Sequence, residues 1–305
     1  MKHTEQFANL LRIASQEHAF SEHVRSDGTA IRIPKAAATA SVISLQALQL
    51  SPPASEARAL RSEQLVPAGK LVTLSATIAK ESRVAQAGAT VIIHAPAPKA
   101  HGNGEGTFVL VERPRRFVLI EPAPFATVPD GSDVETTAAS IMRATLVFDG
   151  PSYGVSHTFT RRDISEYGAD ALAEQAMESI AFGLARACDH AVLSAIVATA
   201  PHAFTIGAAA SAGFDWSELR SFVGTSGAGA AVAADGALRA AGIPATLTPV
   251  IETTIAGSFG RAAAAIMDDL RVSVERRGLL GGLTMTAWAD VKALLPNPAA
   301  FWSIA

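Results

Sequence analysis

The chain has 305 residues, with 25 basic and 28 acidic side chains and a formal net charge of −3. That length allows one large domain or two ordinary ones with a sizeable core, and the near balance of charge excludes general attraction to nucleic acid or anionic lipid. Charged residues are 17% of the chain and hydrophobic ones 49%, which has two readings: a chain rich in alanine, or a surface largely covered by partner subunits, as in obligate assemblies burying roughly 2,000–5,000 Å² per interface.

The opening MKHTEQFANLLRIASQEHAF carries acids and amides and lacks the apolar centre of a signal peptide. Phe7, Leu10, Leu11 and Ile13 mark a short amphipathic helix at best. No apolar run approaches the ~20 residues of a membrane span, so a soluble chain made in the cytoplasm is expected. From SDGTAIRIPKAAATASVISLQALQLSPPASEA onward, extended pieces are broken by Pro34, Pro52 and Pro53. They read as an arm lying against something else. Residues 66–120 read as strands: KLVTLSATIA and ATVIIHAPA alternate or run β-branched, and HGNGEGTFVLVERPRRFVLI sets a Gly-rich turn between further strands. EPAPFATVPDGSDVETTAAS is loop-like. Two strands follow, RATLVFDG and GVSHTFT, joined by Gly150 to Gly154.

The clearest element is RRDISEYGADALAEQAMESIAFGLARACDHAVLSAIVATAP. Leu172, Ala176, Ile180, Leu184, Ala187 and Ala191 recur at spacings of three and four and give one apolar face. A helix of roughly 30 residues spans ~45 Å and reads as a spine crossing a flat subunit, with Pro201 ending it. Cys188, inside this pattern, is the lone cysteine; it permits no intrachain disulfide, fits a reducing compartment and reads as packing. Residues 201–260 are Gly- and Ala-rich, with short helices expected near DWSELRSFV and AADGALRAAG, and GIPATLTPVIE as a turn into a buried strand. LRVSVERR and LTMTAWADVKALL alternate, so the end of the chain is strand after strand.

Motifs of known chemistry fail on context. Gly227-x-Gly229-x-x-Val232 resembles a dinucleotide-binding turn with Glu252 as its ribose acid, but Val stands where Gly or Ala is wanted, and the approach reads as a helix end rather than a strand. GPSYG matches the nucleophile elbow at Ser152, which needs a strand turning into a helix; here strand leads to strand, as in a hairpin. The eight histidines show no metal-ligand spacing. Asp268 and Asp269 are adjacent, so on a strand they point to opposite faces. No cofactor, metal or catalytic residue is expected, and the chain reads as a non-enzyme. Arg113, Arg115, Arg116, Arg161 and Arg162 read as inter-strand or inter-subunit ion-pairing residues rather than phosphate ligands.

Two blocks together resemble the major capsid proteins of tailed bacteriophages, which have the HK97-like (Hong Kong 97) fold. The first is HTFTRRDISEYGADALAEQAMESIAFGLARACDHAVLSAI, with an acidic Asp189 near the helix end. The second runs from Gly242, Ile243 and Pro244 through Gly257 to Phe259 and a strand ending in arginine, to Asn297–Phe301 in the closing strand. They cover roughly residues 145–305, and the order of the pieces carries the likeness.

The resemblance implies an α+β fold with an N-terminal arm (1–60), then peripheral-domain strands and an extended β-hairpin loop (61–160, tip about 122–142). The spine helix (161–200) over a β-sheet, an axial domain (201–265) and return strands (266–305) complete it. FVLIE and ATLVFD are the expected sides of the loop, although residues 60–112 remain an alternative. It implies self-assembly into hexamers and pentamers of an icosahedral capsid around double-stranded DNA, held without sequence-specific contacts, in a virion. Scaffold, portal and decoration or cement proteins are the expected partners, and Arg113, Arg115, Arg116, Arg161, Arg162, Asp130, Asp133 and Glu135 the subunit-interface candidates. Phe117 to Gly150 contains no lysine and the region of Gly281 and Gly282 no asparagine, so a covalent cross-link of the kind some family members make is not expected. Two other readings stay open: a host-encoded nanocompartment (encapsulin-type) shell, which needs a cargo-peptide groove, and a nucleotide-dependent oxidoreductase using Gly227 and Gly229.

Overall fold

A computed structural model describes residues 12, 20–24, 30–34, 38–44, 49–50, 72–94, 116–121, 127–130, 141–150, 152–214, 218–219, 221–225, 230–240, 242–277 and 282–304. In chain order these form strands β1 (Phe20–Val24), β2 (Ala30–Pro34), β3 (Ala38–Ser44), β4 (Gln49–Leu50) and β5 (Val72–Thr73), then helices α1 (Leu74–Glu81) and α2 (Arg83–Gln86). Strands β6 (Thr90–His94), β7 (Arg116–Ile120), β8 (Ile141–Thr145) and β9 (Tyr153–Phe159) lead to helices α3 (Arg161–Ala198) and α4 (Ile206–Ser211). The remainder is β10 (Ser221–Gly224), β11 (Ala230–Val232), β12 (Leu238–Ala240), β13 (Ile243–Leu247), β14 (Thr254–Gly257), β15 (Ala263–Met267), β16 (Asp269–Arg277), β17 (Gly282–Ala289), β18 (Val291–Leu294) and β19 (Phe301–Ile304). The fold is α+β, one long helix laid over sheets.

Helix α3 starts where a capping box can form. Thr160 Oγ1 accepts a hydrogen bond from the Asp163 amide at 3.1 Å, and the Thr160 amide donates to Asp163 Oδ2 at 2.8 Å. The Thr160 hydroxyl also donates to Asp163 Oδ2 at 2.7 Å, and this bond, followed by that of the Thr160 amide, holds the Asp163 carboxyl below the usual carboxylate range. Its folded value is therefore depressed, so the stabilisation is present above the ordinary carboxylate pKa and is lost as pH falls through the folded value. Thr160→Ala is expected to lower stability by about 1 kcal/mol, measured by urea unfolding, with the deficit shrinking as pH falls below the carboxylate range.

Gly168, at φ 77° and ψ 162°, interrupts the helix, a backbone region that glycine enters without steric cost. Beyond it the expected face is in place: Leu172, Ala176, Ile180, Leu184 and Ala187 are buried and Ala191 half-buried. By length and composition α3 would pass for a membrane span, unlike the expectation from the sequence, but most of that apolar stretch is buried in the protein core.

Three sheets carry most of the strands, and the first two pack against the helix. β3-β16-β17-β9 is antiparallel, so β3, inside the expected arm, lies along its own chain's β16 from Ser44 opposite Asp269 to Ala38 opposite Glu275. β18-β15-β6 pairs β15 with β6 in parallel and β18 antiparallel. In β15, Ala264 and Ile266 belong to the α3 core, whereas Ala263 and Ala265 join Leu146 and Leu294 in a second cluster. Period-two alternation explains this: the strand is covered on one face by α3 and on the other by Phe117 and Ala144 of the β7–β8 pair. The third sheet, β11-β12-β13-β10-β14-β19, gathers most of residues 221–257 with the final strand.

Gly257 marks where β14 meets β19. A Cβ there would lie 2.5 Å from Phe301 Cδ1 and 2.6 Å from the Ala300 carbonyl oxygen. Gly257→Ala is therefore expected to destabilise by about 2 kcal/mol through overpacking, a shift readable in the urea midpoint.

Several expectations are corrected. KLVTLSATIA, read as a strand, keeps only Val72–Thr73 as strand β5 and then forms helix α1, which packs on α3 and buries both Thr77 and Ile78, neighbours that a strand would turn to opposite faces. The end of DWSELRSFV is the buried strand β10, clamped between β13 and β14. AADGALRAAG holds a turn into β12, because Gly236 adopts φ 77° and Asp235 accepts from the Ala237 amide, overriding alanine's helical preference. β13, expected to be buried, buries only Ile243 among its five residues. LTMTAWADVKALL is two strands, broken at Asp290 and shared between two sheets. RATLVFDG and GVSHTFT do not form a hairpin: β8 pairs with β7, and β9 with β17.

Candidate functional site

Ser152 precedes β9, with no helix following it. Its hydroxyl donates to Asp290 Oδ1 and accepts from Arg271 Nη2 at 3.1 Å, and Arg271 pairs with Asp290 at 3.0 Å. The serine is thus a member of a small polar cluster at the end of β17, not an exposed nucleophile on a strand–helix elbow. Gly227 and Gly229 lie outside the described residues. The run is entered from strand β10, not from a helix as the sequence implied, and it leads into strand β11. A helix N-terminus to receive a pyrophosphate is thus missing from the described chain after it. Glu252, the would-be ribose acid, accepts the Thr225 hydroxyl on its backbone oxygen at 2.6 Å. Among the described residues, no group of three or more His, Cys, Asp or Glu converges. Cys188 is fully buried, and burial pushes its thiol pKa up, away from reactivity.

Asp189 has an architectural task that its sequence position did not reveal. Its buried carboxylate accepts from Ser82 Oγ at 2.7 Å, the Val84 amide at 3.0 Å and the Arg83 amide at 3.1 Å. It thereby ties α3 to the joint between α1 and α2. Arg261 plays a similar part at the base of the β7–β8 pair. Its guanidinium binds Glu121, just past β7, reaches Glu218 at 3.5 Å, and lies 4.4 Å from the centroid of Phe214. Sequence reasoning missed it because its partners are 140 and 43 residues away.

The expected interface residues are not brought together. Arg113, Arg115, Asp133 and Glu135 lie outside the described residues. Arg116 stands on β7 opposite Thr145, Asp130 is exposed between β7 and β8, and Arg161 is exposed at the start of α3. Arg162 pairs with Glu166 one turn along its own helix at 3.4 Å, an exposed contact of little energetic weight.

Two unpartnered features stand out instead. FVLIE does pair in the β7–β8 ribbon, but with Ile141 to Ala144 rather than with ATLVFD: Phe117 stands opposite Ala144 and Ile120 opposite Ile141, and Leu146 to Asp149 lie past the end of β8. One face of this ribbon packs on Leu146 and β15; the other presents Ile120, 81% exposed, with Val118 and Ile141. The second feature is a groove of about 550 Å³ between α3 and strands β9 and β17, floored by Ile180, Leu184, Ala187 and Leu270, with Trp288 and Arg186 on its wall. Tyr153 and His190 hydrogen-bond at 3.1 Å beside it, and Ser179 and His157 at 3.2 Å further along the same helix and strand.

No protein-family profile matches the chain, and no curated protein matches it in sequence. Among solved structures, it is similar to a chain from Mycobacterium phage Cain at 12% identity and a TM-score of 0.44, covering 83% of this chain and 98% of that one. A chain from the capsid of the native GTA particle gives 15% identity and a TM-score of 0.42 over 82% of this chain and 97% of that one. One from the satellite phage P4 procapsid gives 9% identity and 0.43, over 82% and 94%. Likeness at this level leaves function to be read from the chain itself.

Proposed function

We propose that the chain is a structural, non-enzymatic subunit of HK97-like fold that self-assembles into hexamers and pentamers of an icosahedral phage capsid. The observation that carries this reading is the outer face of the β7–β8 ribbon. A two-stranded ribbon is marginal by itself in water, and among the described residues this one is covered on one face only, with Ile120, Val118 and Ile141 exposed on the other. Such a face suits burial against another copy. The long helix α3 over its sheets is consistent with a plate-like subunit whose edges meet neighbours.

In this reading residues 1–60 are the arm, 61–160 the peripheral strands and extended loop, 161–200 the spine helix, 201–265 the axial domain and 266–305 the return strands. The shell encloses double-stranded DNA without sequence-specific contacts, and a net charge of −3 suits a wall that does not hold phosphates tightly. Scaffold, portal and cement proteins are the accompanying chains, in a virion assembled in the host cytoplasm. Sedimentation velocity and electron microscopy of the expressed chain test the reading. Uniform shells, or rings of five and six, are expected; a small monodisperse species at every concentration and salt would overturn it.

A further inference from the structure

We infer that the groove between α3 and strands β9 and β17 is a binding site for a free medium-chain fatty carboxylate, with the alkyl chain on its aliphatic floor and the carboxylate on Arg186. The site is built within one chain, so the inference stands apart from the assembly reading above.

Two helix–strand bridges set its length. Tyr153 Oη and His190 Nδ1 meet at 3.1 Å at one end, and Ser179 Oγ and His157 Nε2 at 3.2 Å beyond the other. Ser179 and His190 stand 11 residues apart on α3, about 16 Å of helix. The volume of about 550 Å³ lies in the ordinary range for small-ligand sites, roughly 300–1,000 Å³. A slot bridged in this way suits a slender guest better than a folded protein face.

Its chemistry narrows the guest further. Ile180, Leu184, Ala187 and Leu270 floor it and carry no side-chain hydrogen-bonding group. A peptide laid on that floor would leave backbone N–H and C=O groups dry, a cost that an alkyl chain does not meet. Glycines keep the slot open on both sides. A Cβ at Gly183 on α3 would meet nothing within 4 Å, while one at Gly154 on β9 would lie 3.0 Å from Trp288 Cδ1. Glycine at 154 therefore lets the Trp288 ring, opposite it in the ladder, lie across the strand as a wall.

The head group follows from charge. Arg186 is exposed, is the one lining residue that carries a permanent charge, and has no carboxylate beside it in the lining. Among the described residues it has no ion-pair partner. A guanidinium so placed can take a carboxylate through two parallel hydrogen bonds, which favours an anionic amphiphile over a cationic one.

Isothermal titration of the full chain with octanoate, decanoate and dodecanoate, each below its micelle concentration, tests this. Affinity is expected to rise roughly tenfold with each two carbons added, and decylamine to bind roughly fivefold or more weakly than decanoate. Arg186→Glu is expected to reverse that preference, and Gly183→Trp, which fills the slot without altering charge, to abolish binding at an unchanged urea midpoint. Arg186→Glu, at an exposed position, decides the matter should Gly183→Trp fail to fold. Affinity that ignores chain length, a carboxylate preference that survives Arg186→Glu, or unimpaired binding by folded Gly183→Trp would each overturn the inference. So would an absence of decanoate binding, and if Gly183→Trp then also formed no particles, the groove would belong to a protein contact instead. Decanoate binding by a wild-type chain that forms no particles would support the site while sinking the subunit reading.

Discussion

Asp189→Ala is expected to lower the free energy of unfolding by about 3–5 kcal/mol, because three donors lose their shared acceptor and at least two of them are buried. Each buried donor left unsatisfied costs roughly 1–3 kcal/mol. The Val84 amide and the Ser82 hydroxyl lie in the buried joint between α1 and α2, and the Arg83 amide is part-buried beside them. Asp189→Asn separates shape from chemistry. One side-chain oxygen can still accept from Ser82 and Val84, but the amide nitrogen then faces a backbone N–H as donor against donor, so an intermediate loss is expected.

The pH dependence carries a sign of its own. Burial is the largest influence on the Asp189 carboxyl and pushes its pKa above the usual carboxylate range, opposed by the three hydrogen bonds. The folded chain therefore holds the proton more readily than the unfolded one, and this group's contribution falls as pH rises from the ordinary carboxylate pKa through the raised folded value. Urea midpoints of wild type and variant, taken across that window, should differ in slope as well as level. A variant within about 0.5 kcal/mol of wild type, the range of ordinary surface changes, would show that the joint is held by packing alone.

What could be read from the sequence follows a physical line. Helix α3 was legible because its apolar positions repeat over many turns, and a signal summed over that length outweighs local noise. Its break at Gly168 was not, since a single glycine in an otherwise helical pattern carries no sign of its φ. That FVLIE is one side of a ribbon was legible from alternation beside a polar, Pro-rich connection, but its partner is Ile141 to Ala144 rather than ATLVFD, because alternation alone does not fix where the returning strand begins. Helix α1 was missed because Leu74, Thr77 and Ile78 fit a strand and a helix about equally over eight residues, and only contact with α3 decides. Alanine near 237–240 misled toward a helix, where Asp235 and Gly236 turn the chain instead.

The candidate surfaces were less legible than the fold. The groove is assembled from β9, α3, β16, β17 and the turn at Pro249, segments that alternation places on strands and helices but not beside one another. The bonds that fix the architecture span the chain in the same way: Ser82 with Asp189 at a separation of 107 residues, Glu121 with Arg261 at 140. No local period encodes such pairs.

Ile120→Asp combined with Ile141→Asp is expected to leave the isolated chain folded and to abolish particle formation. The two residues face each other across the β7–β8 ladder on its outer side, and Ile120 is 81% exposed. In the isolated chain both aspartates would be solvated, and their facing like charges across the ladder cost roughly 0.2–1 kcal/mol, too little to unfold the chain. In the assembly the balance reverses. Burying each isoleucine contributes roughly 1.5–3 kcal/mol, while an unpaired carboxylate carried into a neighbour's apolar surface costs several kcal/mol. The penalty recurs at every copy, so a closed shell of many copies has no route around it. Phe117→Asp is the control from the other face of the same strand: Phe117 packs on Leu146 and Ala263, so its loss should unfold the ribbon's support and lower the urea midpoint. Equal destabilisation of the isolated chain by the inner and outer substitutions would mean that the outer face is already covered by its own chain, and an apolar ribbon awaiting a second copy would then have no physical basis.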